Sequence, residues 1–190
     1  MIRPHADHFY YEPSEFEVMK KTVVSLKSHG ADGFVFGILK RCSENARDPT
    51  NSWIDVPRNK ELVQIAGRPC TFHRAFDTIP ESSWENALTD IMNCGFASIL
   101  TNGGPSGTKA TDCVDKLQRL VRWKEAQQHS QDNSQSIKVP EIIVGGGVRT
   151  SNLGLLYRST GASAFHSAAL VGSDETACEH EIFQMKLQIS

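Results

Sequence analysis

The sequence has no apolar run approaching the roughly 18 residues of a membrane-spanning helix, no Cys-x-x-Cys pair, and no large excess of charge of either sign. The first absence excludes a helical membrane anchor. With no charged-then-apolar leader in its opening residues either, the chain is expected in the cytoplasm. The second absence removes the usual signatures of redox and zinc chemistry. Five cysteines, Cys42, Cys70, Cys94, Cys113 and Cys178, are odd in number and widely spaced, so they read as reduced thiols serving as small hydrophobes. The third absence removes two partners. A formal charge of -2 and a pI near 6.4 give no bulk electrostatic reason to bind nucleic acid or an anionic membrane, which leaves small soluble ligands.

What is present is a repeating order of strand-like and helix-like stretches in 190 residues. Met1–Pro4 reads as the end of a strand, because Pro4 pushes Arg3 toward extended geometry. Phe16, Met19, Val23 and Leu26 recur at helical spacing behind Ser14-x-x-Glu17, which has the form of a capping box. Residues 33–39 alternate small Gly33, Val35 and Gly37 with bulky Phe34 and Phe36. Pro57 and Gly67 frame a short helix. Residues 82–95 carry Trp84, Ala87, Leu88, Ile91 and Met92 on one stripe behind a second box, Ser82-x-x-Glu85. Further strands are expected at 97–101, 141–144 and 164–166, and helices after Gly107 and from Thr150 to Gly161. Residues 40–55 read as irregular and polar, and residues 127–136 as a solvated insertion. The expected fold class is α/β, with six parallel strands covered by helices. The alternation of small and aromatic faces favours a barrel over an open doubly wound sheet.

The chemistry is densest at Thr71-Phe72-His73-Arg74-Ala75-Phe76-Asp77. Strand alternation through this run puts Thr71, His73 and Ala75 on one face and Phe72, Arg74 and Phe76 on the other, with Asp77 at the strand end. His73 is then a candidate metal ligand or general base near Asp77, against the alternative of a hydrogen-bonded core residue. Arg74 would form either a structural ion pair or a ligand contact. Gly145-Gly146-Gly147 ahead of a helix capped by Thr150 or Ser151 offers an anion seat, against the alternative of a tight turn. His5, Asp7 and His8 read as a solvated loop in preference to a metal site.

Met1-Ile2-Arg3-Pro4, Gly30-Ala31-Asp32-Gly33-Phe34-Val35-Phe36-Gly37, the Phe72–Asp77 run, and Gly145–Val148 with Ala164-Phe165-His166 together resemble the CutC copper-homeostasis family from Met1 to about Ala168. The resemblance implies an incomplete (β/α)8 TIM-type barrel whose six strands correspond to the family's third to eighth. The first two strand–helix units would be missing, so the chain is expected to be N-terminally truncated. Residues 1–168 would form the partial barrel and 169–190 a tail that either docks as a helix or frays. Departures are visible: Arg3-Pro4-His5-Ala6-Asp7-His8-Phe9 stands where the family commonly reads Arg-Pro-Arg-Gly-Gly-Asp-Phe, and Thr101-Asn102-Gly103 where it reads Thr-Ser-Gly.

The implied function is copper homeostasis by binding or handling copper(I) in the cytoplasm, without catalysis and impaired by truncation. The cysteines thought to bind copper in animal members belong to the missing strands, and no ligand set is readable in this chain. The alternative is a barrel enzyme acting on a small phosphorylated or carboxylated metabolite. Barrel function sits at the C-terminal strand ends. That makes Arg3, His73 and Asp77 the catalytic candidates, His73 the metal candidate, and Arg3, Arg74, Thr101, Asn102, Gly145, Gly146, Gly147 and His166 the ligand or anion set. The expected partner is a copper ion or a small anion, and unpaired strand edges favour a homo-oligomer.

Overall fold

The structure, a computed structural model, describes residues 1–41, 52–130, 138–172 and 176–189. Cys42, most of the polar stretch 40–55, and residues 131–136 of the expected insertion lie outside the described residues. The described elements are α1 (Pro13–Ser28), β1 (Phe34–Phe36), α2 (Val56–Ala66), β2 (Cys70–Phe72), α3 (Trp84–Cys94), β3 (Ser98–Thr101), α4 (Val114–Ser130), β4 (Glu141–Val144), α5 (Thr150–Thr160), β5 (Ala164–Phe165) and α6 (Glu179–Leu187). The strands form one five-stranded sheet in sequence order. The chain divides into two compact units, Met1–Ile99 with Asn133–Pro140, and Leu100–Asp132 with Glu141–Ser190. None of the described helices is long and apolar enough to cross a membrane.

In the first unit, β1 and β2 pair in parallel with Phe34 opposite Cys70 and Phe36 opposite Phe72. The small and aromatic faces read from the sequence are therefore in register. The Phe36 and Phe72 rings each meet Phe96, at 5.1 and 5.2 Å between centroids, and all three are buried. Burial of each such ring is worth roughly 2 to 3 kcal/mol. Helix α1 begins one turn's fraction earlier than its sequence signal: Glu12 caps it, and the Glu15 carboxylate accepts the Glu12 N–H at 2.7 Å. Phe16, Met19 and Val23 face the core as the spacing requires, but Leu26 lies on the exposed side. Helix α2 has the expected Pro57 start and ends on Gly67, which takes the left-handed φ of 54° that a side chain would resist. The Ser82 box does not form; α3 starts from Ser83 with no side-chain cap.

The expected first strand is reduced to one rung. The Ile2 N–H donates to Val35 O at 2.8 Å, so residues 1–3 lie beside β1, but Pro4 has no N–H to continue the ladder. Among the described residues five strands are formed, where six were expected. The Phe72–Asp77 run also departs from its reading. β2 ends at Phe72, and Arg74–Thr78 is a single 3-10 turn capped by His73, so strand alternation stops before Arg74.

In the second unit, α4 packs on α5 and α5 on α6, and β4 pairs in parallel with β5 through Ile143 opposite Ala164. Leu117, Leu120, Ile142, Val144, Leu153 and Leu156 are buried there. Lys124 closes α4 onto β4 through a 2.6 Å ion pair with Glu141. Helix α6 lies within the tail segment 169–190.

One polar side chain holds the first unit together from within. Asn59 of α2 is fully buried. Its Oδ1 accepts the Ile38 N–H at 3.1 Å, and its Nδ2 donates to Ile38 O at 2.8 Å and Asp55 O at 2.9 Å. It thereby satisfies the backbone where the chain leaves β1. Asn59→Ala leaves the Ile38 N–H buried and unmade, and should lower unfolding stability by about 2 kcal/mol. A urea titration showing a change under about 0.5 kcal/mol would contradict that role.

Candidate functional sites at the strand ends

At the end of β2, His73 is placed by a glycine. A Cβ on Gly37 would stand 2.8 Å from His73 Nδ1 and 3.0 Å from the Phe72 ring, so the imidazole lies against bare backbone. The His73 N–H donates to Phe36 O at 3.0 Å, and its Nδ1 accepts the Ala75 N–H at 3.3 Å. The ring is buried. Burial, with the Arg3 guanidinium nearby, pulls its pKa down to about 4, so it is neutral at pH 7. With Nδ1 accepting, the proton of the neutral ring sits on Nε2. That nitrogen has no hydrogen-bond partner among the described residues.

Arg3, Arg74 and Asp77 also belong to this unit. Arg3 is exposed, with its guanidinium 4.4 Å from the Phe9 ring centroid. Phe9 meets His73 edge-on at 4.9 Å. Arg74 Nε donates to Asp77 Oδ2 at 2.7 Å, the structural ion pair that its chemistry allowed. Because a 3-10 turn stacks i on i+3, the partner came from three residues on rather than from a helix. The Asp77 carboxylate is buried under that pair, and neither ring nitrogen of His73 bonds to it. The expected working pair of imidazole and carboxylate is not assembled.

The second unit holds the rest. Asn102 is fully buried and serves its own loop: Nδ2 donates to Pro105 O at 3.2 Å and Thr108 O at 2.8 Å, and Oδ1 accepts the Gly104 N–H at 3.0 Å. Thr101 Oγ1 accepts the Gly103 N–H at 2.9 Å. Gly145 donates to Thr101 O at 2.8 Å, and His166 is exposed beyond β5. The glycines are required by contact: a Cβ at Gly145 would meet Leu100 at 2.8 Å and one at Gly146 would meet Asn102 at 2.7 Å. Gly146 and Gly147 also take φ values of 94° and 79°, which only glycine adopts without strain.

The helix end behind this loop is already occupied. Arg149, not Thr150 or Ser151, is the N-cap of α5. Its N–H goes to Asn152 Oδ1 at 2.9 Å, and the Thr150 N–H goes to the Glu181 carboxylate of α6 at 2.7 Å. The bond from the Thr150 backbone lowers the Glu181 pKa. A carboxylate of the chain thus sits where an anion was expected.

Copper(I) asks for thiolate or thioether ligands, and the described thiols do not offer them. Burial pushes Cys70 up to about 11, and burial with the Asp90 carboxylate nearby pushes Cys94 up to about 12, so both stay protonated. Cys113 is also buried, and Cys178 is half-buried at the start of α6. No three His, Cys, Asp or Glu side chains are grouped to hold a metal among the described residues. His73 presents an N–H rather than a lone pair. The described thiols therefore do not fit a copper(I) site. Tyr11, buried with its hydroxyl beside the Arg3 guanidinium, was missed by the sequence reading, because nothing in an aromatic followed by a helix start marks it.

The model of the CutC family matches residues 1–171. A CutC family protein of Streptococcus pyogenes serotype M6 is 30% identical over 172 residues, covering 90% of this chain and 72% of the relative. The human copper homeostasis protein cutC homolog is 32% identical over 170 residues, 89% of this chain and 53% of that protein. The crystal structure of a CutC protein from Streptococcus agalactiae superposes with a TM-score of 0.71 at 26% identity, covering 87% of this chain and 69% of the other. The chain thus spans from about half to under three quarters of the length of these relatives.

The neutral, buried His73 carries a pH signature. Its folded pKa of about 4 lies below the unfolded value near 6.5, so between these values the unfolded chain binds more protons. Stability should therefore fall by about 3 kcal/mol as pH drops from 6.5 to 4. His73→Asn, whose Oδ1 can still accept the Ala75 N–H, should flatten this slope. An unchanged slope would contradict a buried neutral ring.

Proposed function

Because the chain belongs to the CutC family, we propose that it serves copper homeostasis in the cytoplasm, with copper(I) as cargo. The observation that supports this reading is the family match across residues 1–171, with a human relative named for copper homeostasis. The described thiols do not fit copper(I), so in this reading the soft donors lie outside the described residues, in the missing strands that the family resemblance implies, and the strand–helix units described here serve as scaffold. The reading is one of binding, with an enzyme acting on a small phosphorylated or carboxylated metabolite as the alternative; an enzyme of that kind would not use His73 and Asp77 as a bonded acid–base pair.

Copper(I) titrated under reducing conditions against a chromophoric chelator, with the full-length human relative in parallel, tests this. Stoichiometric retention by the relative and none by this chain is expected. Retention by this chain would overturn the placement of the donors, and retention by neither would overturn the copper reading.

A further inference from the structure

We propose that the outer face of α6 pairs two copies of this chain in an antiparallel, two-fold dimer. The starting observation is a helix that is apolar on two sides. Met185 is buried and Ile182 half-buried against the second unit, as a docked helix requires. Phe183 and Leu187, one turn apart, lie on the other side, and each is 58% exposed. A single exposed apolar residue is ordinary. An aromatic ring and a leucine on one exposed stripe form the apolar centre that an interaction surface needs.

The helix is pinned at both ends, so the stripe is presented in a fixed place. Just ahead of it, the Cys178 N–H donates to Ala169 O at 2.8 Å. In its first turn, the Glu181 carboxylate accepts the Thr150 N–H at 2.7 Å. Just past its end, Gln188 accepts the Gly154 N–H through Oε1 and donates to Thr150 O through Nε2, each at 2.9 Å. Helical spacing puts Glu181 and Gln188 on the side away from Phe183. An interface element already held in its bound geometry loses little freedom on association.

The charges on the stripe select the partner. Glu179, Phe183, Lys186 and Leu187 are all exposed and fall on one face at helical spacing. That face is acidic at its start, aromatic in its middle and basic at its end. A second α6 laid antiparallel brings Glu179 of each copy to Lys186 of the other and sets the two Phe183 rings beside the two-fold axis. The Lys186 ammonium has three N–H donors, so it can take that carboxylate in addition to its interaction within the chain. A parallel pairing would set Glu179 on Glu179 and Lys186 on Lys186. The antiparallel one also places each helix start against the other's helix end, where the dipoles attract. The face is complementary to itself, as a two-fold interface requires.

This surface lies outside the family likeness. The family model matches residues 1–171, and α6 begins at Glu179. Its size sets the strength of the contact. A helix of nine residues is about 13 Å long, which buries less than a standard interface, so the dimer is weak and depends on concentration.

Sedimentation equilibrium of the whole chain from about 10 µM to about 1 mM tests the surface. The mass should rise from monomer toward dimer, more steeply at low salt. Phe183→Glu, an exposed change, should keep the wild-type circular dichroism and raise the dissociation constant about tenfold or more. Glu179→Lys and Lys186→Glu each set like charges together in their own dimers, so each alone should associate more weakly than wild type. Mixed in equal amounts they should form a mixed dimer, because opposite charges then meet at both positions. A mass that stays monomeric over the whole range overturns the proposal. So does a Phe183→Glu protein that dimerises like wild type, or a pair of reversed variants whose mixture associates no better than either alone.

Discussion

The absence of a side chain at Gly37 governs this strand end. Any Cβ there would collide with His73 and Phe72, so the glycine lets the β2 end close on β1 and buries the imidazole against backbone. Burial makes the ring neutral, and the Ala75 N–H on Nδ1 leaves the proton on Nε2. The ring's chemistry, a donor instead of a metal ligand or a base paired with Asp77, follows from that one close approach. The same economy recurs at Gly145 and Gly146, where contact with Leu100 and Asn102 leaves no space for a Cβ.

Much of the architecture was legible because it depends on local rules. The aromatic and small faces of residues 33–39 and 71–72 specify which side of the sheet is buried, and β1 and β2 pair in that register. Pro57 and Gly67 bracket α2, and Gly161 ends α5, through backbone preferences that need no tertiary context. The family resemblance rested on runs that the family model also spans.

What was not legible depended on distant partners or on where a strand stops. Nothing in Thr71–Asp77 announces that alternation ends at Phe72. The 3-10 turn that follows turns Arg74 toward Asp77 rather than toward a helix. Asn59 looks like an ordinary helix residue until Ile38 is placed beside it. The glycine loop and helix end looked ready for an anion, but Glu181, 31 positions after Thr150, already supplies one. In each case a polar side chain found a partner that spacing alone could not identify, and the candidate site shrank to the groups left without one.

The account turns on His73 being a neutral N–H donor, and the direct measurement is the nitrogen-15 spectrum of its imidazole at pH 7, read through two-bond couplings to the ring protons. A bare Nδ1 and a protonated Nε2, unchanged when copper(I) is added, is the predicted result. An imidazolium, a proton on Nδ1, or a shift of Nε2 on copper(I) addition would contradict it.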